Sequence, residues 1–250
     1  MSNLHWLDDE SWNAIEPLIP MNRSGVKPRR NRQVISGILH VLKVGCRWSD
    51  CPAEYGPSTT VYNRFNRWSK AGIWQAMAAH LVRHDAVDIQ CIDSTTAKAH
   101  RCSAGGKGGP DEQAIGRSRG GRSTKIHAVV DHEGRLIAFD LTAGQRGDIR
   151  PAAGLLEPLP PARTLLADAA YDSDEFRAFL TLRGTTPVIK QNPTRKRLHR
   201  FDKDAYKGRN VIERAFSRLK DWRRAATRYD KLARNFQATV TLVSLAIWWT

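Results

Sequence analysis

Three acidic residues that lie far apart in the chain have the type and the local setting needed to hold divalent cations. Asp93 ends the apolar run CID, and Asp168 ends the run LLAD. Carboxylates at the ends of predicted strands are held on a rigid element at the rim of a sheet, where a ligand can reach them. Either aspartate alone is more often a turn former. The third acid, Glu213, lies in a more informative segment.

Glu213 shares one predicted helical face with Tyr206, Arg209 and Lys220. The spacings are 3, 4 and 7 residues (209 − 206, 213 − 209, 220 − 213). At about 100° per residue, the four positions fall within an arc of roughly 60°. The acid can then bind a metal ion while Arg209 and Lys220 hold phosphate oxygens on either side. The alternative is a surface helix with an Arg–Glu pair four residues apart, which is common.

A cluster of Asp93, Asp168 and Glu213 would suit phosphodiester cleavage. Two divalent ions can neutralise the phosphate, activate water or a 3′-hydroxyl, and stabilise the leaving oxygen. Mg²⁺ prefers oxygen ligands and keeps waters of its own. The cluster would repel itself without metal, so ion binding and the order of the site should be coupled.

The overall charge points to a polyanionic partner. The 250 residues include 40 Lys and Arg against 25 Asp and Glu, a net charge of +15. Such an excess attracts nucleic acid, an anionic membrane surface or an acidic protein. The apolar run 238–249 is too short to span a bilayer, and the N-terminus shows no signal peptide. We therefore expect no membrane partner, a cytoplasmic protein and four reduced cysteines without a zinc site.

The elements that must position the acids change in character along the chain. Helical periodicity predicts helices near 8–19, 32–44, 58–72 and 74–83. Strands are predicted near 87–95, 163–168 and 186–190, with a hairpin over 125–144, a helix over 173–184 and a long helical region from 204 or 208. This pattern predicts a helical module at 1–85 and a mixed α/β domain at 86–250.

Several basic residues are candidates for DNA contact. Arg64 and Arg67 lie on the polar side of the third helix, which is either a solvated face or a recognition helix in a helix-turn-helix-like module. Arg197 lies in a basic run at 195–200 that precedes the segment of Glu213. The Gly-rich stretch 100–125 is either a flexible loop or a segment that lays basic residues along a phosphate backbone; these are Lys107, Arg117, Arg119 and Arg122.

Four motifs in this order resemble one known family, and together they cover most of the chain. The motif Y-x-x-R-x-x-x-E-x-x-x-x-x-x-K at 206–220 is similar to the one shared by bacterial insertion-sequence transposases of the DDE type. IDST at Asp93 and ADAAYDS at Asp168 resemble the first and second acid motifs of that family. The stretch 116–131 and the N-terminal segment 45–74 also resemble this family, most closely the branch named for insertion sequence five.

The resemblance implies a fold, a site and partners. The fold would be ribonuclease-H-like, a mixed sheet with flanking helices, preceded by the helical DNA-binding module. The triad Asp93, Asp168 and Glu213 would hold Mg²⁺ or Mn²⁺, and Tyr206, Arg209 and Lys220 would contact the transferred DNA end. The substrates would be terminal inverted repeats and target DNA, bound by a homodimer at the nucleoid. Ser58 stands where the family leads us to expect an aromatic residue.

Two other functions fit parts of the same pattern. A non-catalytic remnant that occupies the element ends would bind DNA without metal-dependent nicking. A ribonuclease-H-like nuclease would nick DNA without joining strands. The stripe from Tyr206 to Lys220 favours the transposase, because a simple DNA binder has no reason to carry it.

Overall fold

The computed structural model describes residues 4–20, 30–82, 88–195 and 199–250. Its helices agree with the sequence periodicity in the first third of the chain and break up the long region predicted near the end. The helices are α1 Asp9–Ile15, α2 Asn31–Val44, α3 Ser58–Lys70, α4 Ile73–Leu81, α5 Gly109–Glu112, α6 Ala152–Leu156, α7 Asp174–Leu182, α8 Lys203–Tyr206, α9 Asn210–Lys220, α10 Arg223–Ala226 and α11 Ala233–Trp248.

The strands follow the predicted order, and the first is longer than expected. They are β1 Ile89–Ala99, β2 Gly116–Ser118, β3 Gly121–Asp131, β4 Leu136–Ala143, β5 Thr164–Ala167, β6 Thr186–Ile189 and β7 Thr227–Arg228. The predicted hairpin is confirmed: β3 and β4 pair in antiparallel fashion on either side of the turn at Glu133 and Gly134. Gly134 has a φ of +79°, which the tight turn requires of its backbone.

Packing divides the chain into two compact units, Met1–Val82 with Leu219–Thr250, and Arg83–Arg218. The predicted domain boundary between 85 and 86 lies outside the described residues. The sequence pattern assigned residues 219–250 to the second domain, whereas α10 and α11 pack with α2, α3 and α4. The reason is that α11 buries long apolar side chains, which the helices of the first unit cover.

The first four helices lie close to their predicted positions, although α1 ends at Ile15 and a 3₁₀ turn continues from Glu16 to Leu18. Asp8 caps α1 by accepting a hydrogen bond from the amide of Ser11 at 2.7 Å. Gly45 ends α2 in the left-handed conformation, with a φ of +79°. In α3 the predicted apolar stripe supplies Val61 and Phe65, which are fully buried. The helical character predicted for this part of the chain is therefore confirmed.

The second unit contains a mixed sheet that carries the predicted acids. β1 lies in its interior, antiparallel to β3 and parallel to β5, which pairs in turn with β6. β3 also pairs with β2 and β4. The five longer strands therefore run in the order β4-β3-β1-β5-β6, with three antiparallel strands followed by two parallel ones. The predicted fold class, a mixed α/β sheet with flanking helices, is confirmed.

One face of this sheet forms an apolar core under α6 and α7. The buried side chains of the core are Ile92, Val129, Ala152, Leu156, Leu159, Leu165, Ala167, Tyr171, Phe176, Leu180 and Ile189. Ile92 and Ala167 are register partners on β1 and β5. Successive residues of a strand face opposite sides of the sheet. The residue that follows Ile92 on β1 therefore points away from this core.

Two predictions on the second unit need correction. The stretch 100–125 is not simply a loop, because it contains α5, β2 and the first residues of β3. The region from 204 is not one helix, because a 3₁₀ turn over Lys207–Arg209 separates α8 from α9. Gly208 lies in this turn and disfavours an α-helix. A Cβ at Gly208 would lie 3.3 Å from Cδ1 of Leu166 on β5, so the turn packs closely on the sheet.

Candidate active site

Asp93 and Asp168 follow the last paired residues of two neighbouring parallel strands. Ile92 of β1 pairs with Ala167 of β5, and each aspartate comes next in sequence. Asp93 continues along β1 and lies opposite Ala128 of β3. Asp168 leaves the sheet and caps a 3₁₀ turn by accepting from the amide of Ala170 at 2.9 Å. The parallel pairing therefore places the first two predicted acids side by side.

Arg209 connects Asp93 to Glu213. Its Nη1 donates to Oδ2 of Asp93 at 2.6 Å, and its Nη2 donates to Oε1 of Glu213 at 2.5 Å. The side chains of Arg209 and Asp93 are 15% and 18% exposed, whereas that of Glu213 is 59% exposed. One guanidinium thus lies between two of the three predicted acids, where its single positive charge offsets only part of their combined negative charge.

Burial and neighbouring charges act on the same carboxylate. Burial raises the pKa of Asp93 above its usual value, and the negative charge of Asp168 adds to the rise. The amide of Ser94, which donates to Oδ1 of Asp93 at 2.7 Å, and the guanidinium of Arg209 oppose it. Burial lowers the pKa of Arg209, but the charge of Asp93, its hydrogen bond to Arg209 and the charge of Glu213 together raise the pKa overall.

The predicted stripe does not lie on one continuous helix. Tyr206 ends α8, Arg209 lies in the 3₁₀ turn, and Glu213 and Lys220 lie on α9. The arc calculated for an unbroken α-helix is therefore wrong for Tyr206 and Arg209. The contacts within the stripe form nonetheless: Arg209 reaches Glu213, and its guanidinium carbon lies 5.8 Å from the centre of the Tyr206 ring.

Across the described ranges, no three His, Cys, Asp or Glu side chains form a group that could hold a metal ion. Asp93 and Asp168 are neighbours, and Arg209 links Glu213 to Asp93. The donor chemistry of the site nevertheless fits a cation, because a positive group already occupies it. The three carboxylates offer the oxygen ligands that Mg²⁺ and Mn²⁺ prefer.

A buried hydroxyl close to these acids was missed from the sequence. Tyr171 is fully buried in the core, and its hydroxyl has no hydrogen-bond partner among the described residues. Burial raises its pKa strongly, and the charges of Asp93, Asp148 and Asp168 add to the rise. Because its pKa is raised, the phenol stays protonated and keeps a proton that it can donate in a hydrogen bond. Its only sequence signal is its place in ADAAYDS.

A fourth carboxylate, Asp148, supports the strand next to Asp93 and was also missed. Its Oδ1 accepts from the hydroxyl of Ser94 at 2.6 Å and from Nζ of Lys125 at 2.8 Å. Lys125 also donates to the carbonyl of Arg146 at 2.7 Å. These bonds tie the loop after β4 to β1 at the residue that follows the first acid. Nothing in the sequence spacing connects Asp148 with Ser94.

Asp172 has a different role from Asp168, although both belong to ADAAYDS. Its carboxylate accepts from Nε of Arg177 at 2.8 Å and from the amide of Asn192 at 2.8 Å, and Arg195 lies 3.3 Å away. Burial alone would raise the pKa of Asp172, but these donors outweigh it and hold the pKa below its usual value. Asp172 is therefore a satisfied structural group that joins α7 to the end of β6.

The basic residues predicted to bind DNA lie in different settings. Arg64 donates to Oδ1 of Asn31 at 2.6 Å and stacks 4.7 Å from the ring centre of Trp68. Arg67 is exposed on the same helix, with a hydrogen bond only to the carbonyl of Asn63 among the contacts described. Lys220 is exposed at the last residue of α9.

The remaining predicted DNA contacts lie in two segments. Arg117 and Arg119 are exposed on β2 and in the turn that follows it. Arg197 lies outside the described residues. The structure therefore brings Tyr206 and Arg209 to the acids, and it places the other predicted contacts on α3, at the end of α9 and on the β2–β3 hairpin.

The fold and this site define an α/β protein with neighbouring aspartates on the inner strands of a mixed sheet and a third acid on a following helix. Residues 87–249 match the family model described as "Transposase DDE domain". Residues 7–78 match a second model, described as "Putative transposase of IS4/5 family". The chain belongs to the DDE transposase family, as its motifs predicted.

Relatives of known sequence agree with this assignment. The chain is 41% identical over 127 residues to a protein of Brucella ovis named "Putative transposase for insertion sequence element IS6501", covering 50% of this chain and 98% of the relative. It is 31% identical over 137 residues to the "Putative transposase for insertion sequence element IS402" of Burkholderia cepacia, covering 50% of this chain and 63% of the relative.

One solved structure, the "Mos1 transposase paired-end complex with left transposon end", aligns with 91% of this chain and 80% of its own at 11% identity. Its TM-score is 0.28, a likeness too weak to carry an argument about this chain. Within the described ranges, every helix is too short or too polar to cross a membrane.

Proposed function

We propose that this transposase binds the terminal inverted repeats of an insertion sequence and catalyses metal-dependent cleavage and transfer of DNA strands. The observation that carries the proposal is that Asp93 and Asp168 each follow the last paired residue of two adjacent parallel strands, with Glu213 joined to Asp93 through Arg209. Residues 1–85 would bind DNA, and residues 86–250 would contain the catalytic site.

Asp93, Asp168 and Glu213 would hold Mg²⁺ or Mn²⁺, with two ions as the expected number. Bound ions would offset the phosphate charge, make water or a 3′-hydroxyl a better nucleophile and stabilise the leaving oxygen. Arg209 must release Asp93 or Glu213 before all three carboxylates can coordinate. The guanidinium is then free to donate to a phosphate oxygen, a partner that its planar geometry also suits.

The neighbours of the acids would keep the site in position during the reaction. The Ser94 amide holds Oδ1 of Asp93, and Asp148 holds the Ser94 hydroxyl. Tyr206 and Lys220 would contact the DNA end, together with basic residues away from the acids. The proposed DNA contacts outside the acidic site are Arg64, Arg67, Arg117, Arg119 and Arg197. The resemblance adds a homodimer that pairs two ends and acts at the nucleoid.

The test is an in vitro reaction of the full chain with duplex DNA that carries a candidate inverted repeat. With Mg²⁺ or Mn²⁺ we expect nicking at the element end and joining to target DNA, and with EDTA we expect neither. Asp93→Asn, Asp168→Asn and Glu213→Gln should each lower cleavage by at least about 1,000-fold, equivalent to about 4 kcal/mol, and leave end binding intact.

Asp140→Asn is the matched control, because Asp140 is an exposed carboxylate on β4 of the same sheet. It should cleave like the natural chain. Full cleavage by any of the three acid variants would reject the assignment of the triad. Binding without nicking would indicate the non-catalytic remnant, and nicking without joining would indicate a nuclease.

A further inference from the structure

A cavity of about 420 Å³ lies beside the β2–β3 hairpin in the second unit. Small-molecule sites usually span about 300–1,000 Å³, so the cavity is large enough for a ligand. We call it the hairpin pocket. Its lining residues are Ser103, Ala104, Gly105, Gly106, Gly109, Pro110, Gln113, Ile115, Gly116, Arg117 and Arg122.

Two arginines face each other at this pocket. Arg117 of β2 is the register partner of Arg122 of β3, so the two side chains project from the same face of the hairpin. Like charges directly opposite each other in a sheet are destabilising. Both side chains are exposed, and neither makes an ion pair within 4.0 Å among the residues described. A bound anion would relieve their repulsion.

The rest of the wall suits a ligand that is more than a free anion. Ala104, Pro110 and Ile115 provide apolar surface, and four glycines bring the backbone close to the cavity. No acidic residue is among the lining residues, which therefore carry two positive charges. Phosphate matches the arginine pair. A planar base can pack against apolar side chains and guanidinium planes.

The pocket lies on the same sheet as the proposed catalytic acids. Ser123, which follows Arg122, pairs with Lys98, whereas Ala128 pairs with Asp93. The two register positions are five residues apart along β3 (128 − 123), which corresponds to about 17 Å of strand. A DNA strand extending from the acids along the sheet could reach the pocket within a few nucleotides.

We propose that the hairpin pocket binds one unpaired nucleotide of a DNA strand, with its phosphate between Arg117 and Arg122 and its base against the apolar wall. The choice of DNA as the source rests on the proposed function. A free mononucleotide has the same chemistry, so the experiment must separate the two sources.

The test measures binding of the full chain in EDTA, where no cleavage occurs, to a blunt duplex and to the same duplex with one unpaired 2-aminopurine nucleotide at its end. We expect at least 5-fold tighter binding of the unpaired end and a change in 2-aminopurine fluorescence. Arg117→Gln, Arg122→Gln and the cavity-filling Ala104→Leu should each abolish the preference.

Arg119→Gln is the matched control, because Arg119 lies in the turn of the same hairpin but does not line the pocket. This variant should bind both duplexes more weakly by the same factor and keep the preference for the unpaired end. Equal binding of the two duplexes by the natural chain would overturn the proposal, and so would an identical response of Arg117→Gln and Arg119→Gln.

A titration with deoxyadenosine monophosphate distinguishes the sources. Binding as tight as that of the unpaired end would assign the pocket to a free nucleotide and overturn the DNA source. The proposed function fails separately, because it depends on the loss of cleavage in Asp93→Asn. If that variant still nicks DNA while the preference for unpaired ends persists, the assignment of the catalytic acids is rejected and the proposal for the hairpin pocket stands.

Discussion

Asp168 and Asp172 lie in one short segment, yet their surroundings are opposite. Asp172 is enclosed by two arginines and a backbone amide, which satisfy its carboxylate from within the fold. Asp168 is partly exposed at the end of β5, where one amide holds it and its neighbour Asp93 is another acid. A satisfied carboxylate stabilises the chain, whereas an incompletely satisfied one is available to a ligand.

The largest expected effect on stability separates these two aspartates. Asp172→Asn should lower the free energy of unfolding by about 3–5 kcal/mol, because it leaves buried Arg177 without its charged partner. Asp168→Asn should change it by less than about 1 kcal/mol, since asparagine also caps. Urea denaturation at pH 7 measures both. Similar values for the two variants would remove the distinction drawn above.

The low pKa of Asp172 fixes how its contribution depends on pH. The pKa of Asp172 is lower in the folded chain than in the unfolded chain. Its contribution to the free energy of unfolding is therefore fully present above the pKa of the unfolded chain and is lost as the pH falls through the pKa of the folded chain. Glu175→Gln is the control for the denaturation series. Glu175 is exposed on α7, and its replacement should shift the unfolding free energy by no more than about 0.5 kcal/mol.

A smaller effect is expected on metal affinity, because the guanidinium of Arg209 lies beside two of the three acids. Arg209→Gln should tighten Mn²⁺ binding about tenfold, because it removes a competing positive charge beside Asp93 and Glu213. Titration calorimetry of the protein without DNA measures this affinity. Arg214→Gln, at an exposed position on α9, should leave it unchanged. Unchanged or weaker binding by Arg209→Gln would show that Arg209 does not compete with the metal.

The smallest effect concerns two arginines of α3. Arg67→Gln should lower the salt dependence of DNA binding by about one counterion and leave stability unchanged, because Arg67 is exposed. Arg64→Gln should lower the free energy of unfolding by about 1 kcal/mol, because it removes the hydrogen bond to Asn31 and the stacking on Trp68. Its loss of DNA affinity should be smaller than that of Arg67→Gln. Paired filter-binding and denaturation series check this, and the reverse ranking would contradict it.

The sequence predicted the parts of the fold that depend on neighbouring residues. Asp8 and Ser173 cap their helices, as expected of polar residues that precede apolar runs. The strands predicted next to Asp93 and Asp168 form, although β1 continues past Asp93 to Ala99. Parallel pairing of β1 with β5 then follows from the fold that the motifs implied.

Other features depend on distant parts of the chain. The break at Lys207–Arg209 has a local contribution from Gly208, but helical periodicity does not include the close packing of this glycine on Leu166. The bridge from Arg209 to Asp93 joins residues 116 positions apart. The grouping of α11 with the N-terminal helices likewise depends on which apolar surfaces remain to be covered.

The pairing of β1 with β5 also constrains the chelate that the first two acids can form. Neighbouring strands lie about 4.8 Å apart, so backbone hydrogen bonds fix the lateral separation from which Asp93 and Asp168 extend. Insertions in the surrounding loops would leave this separation between the two aspartates unchanged. Glu213 lies on a helix instead, so small shifts of α9 would move the proposed third ligand without disturbing the other two carboxylates.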